Sequence, residues 1–172
     1  MDVSRIIVRE GLTKDAEVTL EIQKEVIKEK DFLVTAEEEF VRSVEDHSKW
    51  IEKLLDNECE TFLVAEVDAQ VVGWLAFQSP NRKRLMHTGS IGMMVDLRFR
   101  GKGVGHALLA SLLEWSKQNP TIEKVNLAVF SSNVKAIDLY KKFGFEEEGR
   151  KVKEIKFENG DYVDDILMTK FV

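Results

Sequence analysis

The chain has 172 residues, of which 44% are hydrophobic and 33% charged, and its net charge is −6. This composition excludes a disordered chain, and the length fits one globular domain, which we expect to span residues 1–172. The acidic balance argues against nucleic acid as a partner, and the apolar runs are too short or too interrupted to span a bilayer, so we expect no membrane association.

Cysteine and histidine are too few and too scattered to build a disulfide or metal framework. Cys59 is the single cysteine, so no intramolecular disulfide can form, and the three histidines stand far apart. We therefore predict that the protein holds no metal. A lone thiol fits a reducing compartment, and the first residues lack the pattern of a secretory signal, so we expect a cytoplasmic protein.

Hydrophobic periodicity predicts seven strands and four helices. In chain order these are a strand at Ile6–Arg9, a helix at Thr13–Lys28, a helix from a Thr35–Glu38 capping box to Leu55, strands at Thr61–Val67, Val71–Phe77 and Thr88–Leu97, a helix from Gly103 to Asn119, a strand at Lys124–Phe130, a short helix capped by Asn133 and ended by Gly144, and strands at Val152–Phe157 and Tyr162–Met168. Hairpins are predicted at 68–70 and at Asn159–Gly160. This order implies a mixed sheet in an α/β or α+β fold.

The segment before the third helix concentrates glycine and positive charge. Residues 98–106 read Arg-Phe-Arg-Gly-Lys-Gly-Val-Gly-His. Glycine lets the backbone approach a ligand closely, and the N-terminus of the following helix adds free N–H donors and the positive end of its dipole. These features favour a phosphate or pyrophosphate. A glycine-rich turn with solvated cations is the alternative.

Two other phosphate-binding motifs do not fit this segment. A P-loop requires Ser or Thr after the lysine, whereas Lys102 is followed by Gly103. A dinucleotide fingerprint fits Gly101 and Gly103, but His106 stands where its third glycine belongs. We therefore do not expect ATP or NAD as the ligand.

The run from Arg100 to Gly105 resembles the Arg/Gln-x-x-Gly-x-Gly/Ala signature of the GNAT acetyltransferases, with Arg100, Gly103 and Gly105 at the three fixed positions. The resemblance implies the GNAT fold, a mixed and mostly antiparallel sheet that splays between its fourth and fifth strands and is flanked by helices. It implies that acetyl-CoA is the co-substrate. The cofactor-binding residues that it implies in this part of the chain are Met94, Val95, Asp96, Arg100, Gly101, Lys102, Gly103, Val104 and Gly105.

A second segment carries the same resemblance. Asn133-x-x-Ala-x-x-x-Tyr140-x-x-x-Gly-Phe145 is similar to the downstream motif of the family. The resemblance implies that Asn133 contacts the cofactor and that Tyr140 protonates the departing thiolate. A phenol of pKa ~10 and a thiol of pKa ~8.5 make that proton transfer roughly balanced. Considered without the family, Tyr140 fits a core aromatic on an amphipathic helix.

The general base and the acceptor stay open. No glutamate stands in the strand before the glycine segment, and Glu66 fits an exposed hairpin residue better than a base. Glu29, Asp31 and Asp164 are candidates to contact the acceptor. That acceptor is a polyamine, an amino acid, an antibiotic-like amine or a protein amino terminus. The use of longer acyl groups and the formation of a homodimer are also left open.

The predicted function is transfer of the acetyl group of acetyl-CoA to a primary amine, on a small molecule or a protein N-terminus. Direct attack within one ternary complex requires no protein nucleophile, because proximity supplies much of the rate. The alternatives are a catalytically silent acyl-CoA sensor and an interaction module with a vestigial pocket.

Overall fold

Residues 5–172 are described by the computed structural model, and they form seven strands and four α-helices. The strands are β1 (Ile6–Glu10), β2 (Thr61–Val67), β3 (Gln70–Gln78), β4 (Thr88–Val95), β5 (Lys124–Phe130), β6 (Glu146–Lys156) and β7 (Tyr162–Phe171). The helices are α1 (Ala16–Lys28), α2 (Val44–Leu55), α3 (Val104–Gln118) and α4 (Val134–Lys142). Short 3₁₀ turns at Thr13–Asp15, Glu37–Glu39 and Leu97–Phe99 precede α1, α2 and α3.

One sheet holds these strands in the order β1-β2-β3-β4-β5-β7-β6. Neighbouring strands are antiparallel, except that β4 and β5 are parallel and pair only over Thr88–Ser90 and Lys124–Asn126. Beyond those residues the two strands separate and border a gap. The sheet therefore confirms the predicted mixed architecture with a splay between the fourth and fifth strands.

Different helices cover the two faces of the sheet. On one face, α3 and α4 pack on the strands through buried side chains such as Leu108, Leu112 and Tyr140. On the other face, α1 and α2 pack through a second apolar cluster that includes Ile51 and Trp74. β2 and β3 contribute to both clusters, which explains why their sequences are nearly continuous apolar runs.

The predicted start of α2 is wrong. The helix begins at Val44, because the Ser43 hydroxyl accepts a hydrogen bond from the Asp46 N–H at 3.0 Å and caps it there. The predicted capping box of Thr35 and Glu38 does not form, since residues 37–39 make a separate 3₁₀ turn.

Three predicted strand boundaries are also wrong. β7 runs to Phe171 instead of ending at Met168. β4 ends at Val95 instead of Leu97, because the Asp96 carboxylate caps the following 3₁₀ turn. β6 begins at Glu146 instead of Val152, and most of its side chains are exposed. Such an edge strand has no buried face, so its sequence shows no alternation of apolar and polar residues. The hairpins joining β2 to β3 and β6 to β7 are confirmed.

Candidate active site

The glycine loop, residues 100–105, begins a row of amide N–H groups that lack a backbone acceptor in the part of the chain that the structure describes. Gly101 and Gly103 have φ angles of +71° and +92°, which glycine adopts without strain. Within the described residues, none of the N–H groups from Gly101 to His106 donates a hydrogen bond to another backbone group. A Cβ at Gly101 would meet nothing within 4 Å. The loop is therefore open at Gly101, close to the N-terminus of α3, an arrangement that suits an anion.

Arg100 fixes this loop to the rest of the protein. Its two terminal nitrogens donate to the Glu29 carboxylate at 2.7 and 2.6 Å, and its Nε donates to the Val95 carbonyl at 3.0 Å. The guanidinium also lies 5.5 Å from the centroid of the Phe32 ring. These contacts use three of the five guanidinium donors, so Arg100 holds the loop in place.

The other two cations of the loop differ in their partners. Arg98 donates to Asp96 through Nε and Nη2, and this hydrogen bonding holds the pKa of Asp96 below its ordinary value. Lys102 has no carboxylate partner among residues 5–172, and its Nζ lies 5.2 Å from the centroid of the Phe99 ring. Lys102 is therefore the loop cation most available to an anion.

The register of β3 and β4 decides which backbone groups border the gap. The Asp96 N–H donates to the Val72 carbonyl at 2.9 Å, and hydrogen-bonded positions alternate along an antiparallel ladder. Met94 therefore also directs its backbone toward β3, whereas Met93 and Val95 direct theirs toward the gap. The expected backbone contacts of Met94 and Asp96 with the pantetheine arm do not fit this register, and that of Val95 does.

The glycine loop, β4 and α4 converge beside the gap. A Cβ built on Gly105 would lie 3.4 Å from Leu139 Cδ2 of α4 and 3.5 Å from Met93 Cε of β4. The two sequence motifs, which lie far apart along the chain, therefore meet at one place. Both distances are ordinary van der Waals contacts, so position 105 packs directly on α4 and β4, and the Val104 side chain is buried in the core.

α4 is bounded by the residues that the sequence predicted. Asn133 Oδ1 accepts a hydrogen bond from the Ala136 N–H at 3.3 Å and caps the helix. Gly144 has a φ of +82° and ends it. Capping uses the carbonyl oxygen of Asn133, so its amide nitrogen stays free to donate.

Tyr140 lies in the core on the side of the gap. Its ring is 5.8 Å from that of Phe145, in the cluster that also contains Leu127 and Val129 of β5. No protein group in the described chain hydrogen-bonds its hydroxyl. Burial raises the pKa of Tyr140 to about 12, so the hydroxyl keeps its proton at neutral pH.

The acidic residues considered from the sequence have other roles or positions. Glu66 accepts a hydrogen bond from Arg9 Nε at 2.8 Å, on an outer strand pair distant in the sheet order from the gap. Asp164 is held by Arg150 and by the Lys153 N–H. Asp31 is exposed in the connection after α1. None of them stands as a free carboxylate beside the gap.

Neither a metal cluster nor a membrane span is found in the described part of the chain. Among residues 5–172, no group of three or more His, Cys, Asp or Glu side chains is placed to hold a metal ion. None of the helices there is long and apolar enough to cross a membrane. Cys59 is buried and free.

Comparison with known proteins shows the family of the chain. The Acetyltransferase (GNAT) family model matches residues 26–145. The chain belongs to the GNAT family. The L-amino acid N-acetyltransferase AaaT of Escherichia coli (strain K12) is 35% identical over 170 residues, which cover 98% of this chain and 99% of AaaT. Family membership confirms the prediction of an acetyl-CoA-dependent N-acetyltransferase.

Solved GNAT structures share the whole fold. The GNAT acetyltransferase from Streptococcus pneumoniae has a TM-score of 0.90 at 26% identity. The match covers 98% of this chain and 100% of the pneumococcal chain. A GNAT phosphinothricin acetyltransferase from Sinorhizobium meliloti, solved in complex with AcCoA, has a TM-score of 0.84 at 19% identity, covering 97% and 88%. A likeness at 19% identity shows that the two proteins share a fold, and nothing beyond the fold follows from it. These structures confirm the predicted GNAT fold.

Two features of this GNAT site were not predicted from the sequence. Glu29 was considered for the acceptor, and its pairing with Arg100 joins residues 71 positions apart, which no local pattern indicates. Met93 was missed, although counting alternate positions back from Val95 along β4 would have pointed to it.

Proposed function

We propose that this GNAT enzyme transfers the acetyl group of acetyl-CoA to a primary amine of a small molecule, with an amino acid as the acceptor to test first. The row of free N–H groups from Gly101 to His106 supports acetyl-CoA as the co-substrate. The choice of an amino acid is supported by AaaT, named an L-amino acid N-acetyltransferase, which is 35% identical over nearly the full length of both chains.

The cofactor is bound mainly by backbone in this proposal. The N–H groups of loop 100–105 and the N-terminus of α3 bind the pyrophosphate, and Lys102 adds charge. Met93 and Val95 offer backbone groups to the pantetheine arm in the gap, and the free amide nitrogen of Asn133 donates nearby.

Bound acetyl-CoA would supply the thioester: the neutral acceptor amine would form the new C–N bond at its carbonyl carbon as the C–S bond breaks, and CoA would leave as the thiol. Tyr140 would protonate the sulfur, and the proton lost by the amine would restore Tyr140 through solvent.

Tyr140 is the proposed proton donor. Its side chain is buried, its hydroxyl lacks a protein partner among residues 5–172, and its raised pKa keeps the proton on Oη until a stronger base develops. A departing thiolate is such a base. A silent sensor needs no proton donor at this position, so the unpartnered hydroxyl favours an enzyme.

Two measurements test the proposal. Calorimetry should show binding of acetyl-CoA and CoA, with ATP and NAD much weaker, because the loop fits neither nucleotide motif. A thiol-release assay with amino acids, polyamines and an N-terminal peptide should then show turnover with at least one amine. Acetyl-CoA binding without thiol release would favour the sensor, and ATP binding as tight as that of acetyl-CoA would contradict the cofactor assignment.

A further inference from the structure

The face of the sheet that carries α1 and α2 is open over its second half. In the described residues, the apolar cluster beneath these helices contains no side chain from β5, β6 or β7. Gly92 of β4 and Ala128 of β5 are exposed although they lie on central strands, and a Cβ on Gly92 would meet nothing within 4 Å. The gap between β4 and β5 therefore opens onto a shallow groove on this face.

Two segments border the groove. The tip of the β6–β7 hairpin leans on the sheet, where the Phe157 ring lies 6.2 Å from the Phe130 ring of β5. Glu158 at the same tip accepts a hydrogen bond from Lys30, just after α1, at 3.1 Å. The hairpin tip and the end of α1 thus meet at one end of the groove and leave its floor accessible.

Asp165 of β7 lies on this face. Its neighbour Ile166 and also Met168 are buried in the opposite layer, and side chains alternate along a strand. Asp165 pairs in register with Phe130 of β5 and with Lys151 of β6. Its carboxylate is therefore placed at the edge of the groove, beside an aromatic ring.

The carboxylate of Asp165 has no partner in the described chain. Across the strand, the Lys151 ammonium lies 3.5 Å from Glu154 and forms its ion pair there. Burial raises the pKa of Asp165, Lys151 lowers it and Glu154 raises it, with a net increase. A partly desolvated carboxylate without a counter-ion attracts a cation.

We infer that Asp165 binds the ammonium group of the acceptor before it reaches the thioester. Primary amines are largely protonated at neutral pH, and the groove opens onto the gap that is proposed to hold the thioester arm. The Asp165 carboxylate offers an ion-pair acceptor to such a cation. This inference rests on the proposed function and supplies the acceptor contact that the sequence left open.

The test compares charged and neutral acceptors at saturating acetyl-CoA. For the best amine of the panel, Asp165→Asn should lower kcat/KM by about 10- to 100-fold, the usual cost of losing a charged hydrogen bond. For a small alkoxyamine, whose nitrogen is neutral at pH 7, the rate should stay within about twofold, because no ammonium has to be bound. Asp165→Glu keeps the charge and should restore part of the loss.

Asp56→Asn is the matched control. Asp56 is exposed at the C-terminal end of α2, so this variant makes the same charge change away from the groove and should behave like wild type. Thermal melts check that each variant folds, and calorimetry checks that acetyl-CoA binding is unchanged.

The outcomes separate this inference from the proposed function. Equal kinetics of Asp165→Asn and wild type with the charged amine would overturn the role of Asp165 alone. An equal loss with the alkoxyamine would show a structural effect and would overturn it as well. A wild-type protein that binds acetyl-CoA but acetylates no amine would overturn the proposed function and this inference with it.

Discussion

Arg100 and Glu29 form a two-point ion pair that joins the start of the glycine loop to the C-terminal end of α1. The same guanidinium donates to the Val95 carbonyl at the end of β4. One side chain therefore ties together the strand beside the gap, the loop beside α3 and the helix on the opposite face. We therefore expect the geometry of the free N–H row to depend on these contacts.

Removing the ion pair between Arg100 and Glu29 should weaken cofactor binding. We expect Glu29→Gln to raise the Kd for acetyl-CoA about two- to fivefold, since a partly exposed ion pair contributes ~0.5–1 kcal/mol. Arg100→Lys keeps the charge but loses the two-point geometry, and we expect a similar effect. The two changes together should cost little more than either alone, because both remove the same interaction. Calorimetric titration with acetyl-CoA measures each value.

Glu25→Gln is the control for this prediction. Glu25 pairs with Lys28 one turn earlier on α1, and both side chains are largely exposed. This variant should bind acetyl-CoA like wild type. Additive effects of Glu29→Gln and Arg100→Lys would contradict the idea that the two residues act as one unit.

A β-branched residue at position 103 should abolish cofactor binding. Gly103 has a φ of +92°, which a valine adopts only with strain of ~1–3 kcal/mol, so the loop of Gly103→Val should rearrange and lose its row of donors. Circular dichroism should show a retained fold, and calorimetry should show no acetyl-CoA binding.

Gly160→Val is the control that distinguishes the effect of backbone strain from the effect of disrupting the glycine loop. Gly160 has a φ of +91° and open space around it, but it lies at the tip of the β6–β7 hairpin. We expect this variant to be destabilised to a comparable extent and to bind acetyl-CoA normally. If both variants lost binding equally, strain alone would explain the result.

Local signals in the sequence predicted most of the fold. β2 and β3 are buried on both faces, so their apolar runs are unmistakable, and Asn133 and Gly144 bound α4 because a cap and a left-handed C-terminal residue are local requirements. The predicted start of α2 was wrong because both Thr35 and Ser43 precede an acidic residue by three positions. Local pattern cannot choose between two such caps, and tertiary packing does.

The site was predictable only where it is made of backbone. Glycine residues at fixed spacing indicate an exposed N–H row, and Gly101 and Gly103 provide it. Side-chain pairing is decided by three-dimensional proximity. The pairing of Arg100 with Glu29 and the position of Asp165 on an accessible face of the sheet are visible only in the fold.

The buried His47 should make stability fall in mild acid. The Thr19 hydroxyl donates to the Asp15 carbonyl at 2.7 Å and therefore accepts from His47 Nε2 at 3.1 Å, which assigns the neutral tautomer with its proton on Nε2. Burial, with a smaller contribution from the Arg42 charge, lowers the pKa of His47 to about 4.

The sign of the pH effect follows from that shift. An unfolded histidine takes up a proton near pH 6.5, whereas the folded one resists protonation down to about pH 4. The free energy of unfolding should therefore be unaffected by this group above pH ~6.5 and should fall by about 3 kcal/mol as the pH drops to about 4. Urea unfolding of wild type and His47→Gln at several pH values measures the difference. His106→Gln, at an exposed position, should keep the wild-type slope, and an unchanged slope in His47→Gln would contradict the assignment.

Tyr140→Phe should lower kcat far more than it weakens acetyl-CoA binding. The ring would still pack against Phe145, so stability should change little. Loss of a general acid typically costs ~10²–10⁴-fold, and because water can replace part of the proton transfer we expect a value near the low end. Binding of the intact thioester should barely change, since the proton is needed only as the C–S bond breaks.

Tyr162→Phe is the matched control, because Tyr162 is the other tyrosine of the chain and is exposed at the start of β7. Thiol release at saturating substrates, with Kd for acetyl-CoA measured separately, tests both halves. An unchanged kcat in Tyr140→Phe, under conditions where chemistry limits turnover, would leave Tyr140 as a core aromatic without a role in proton transfer.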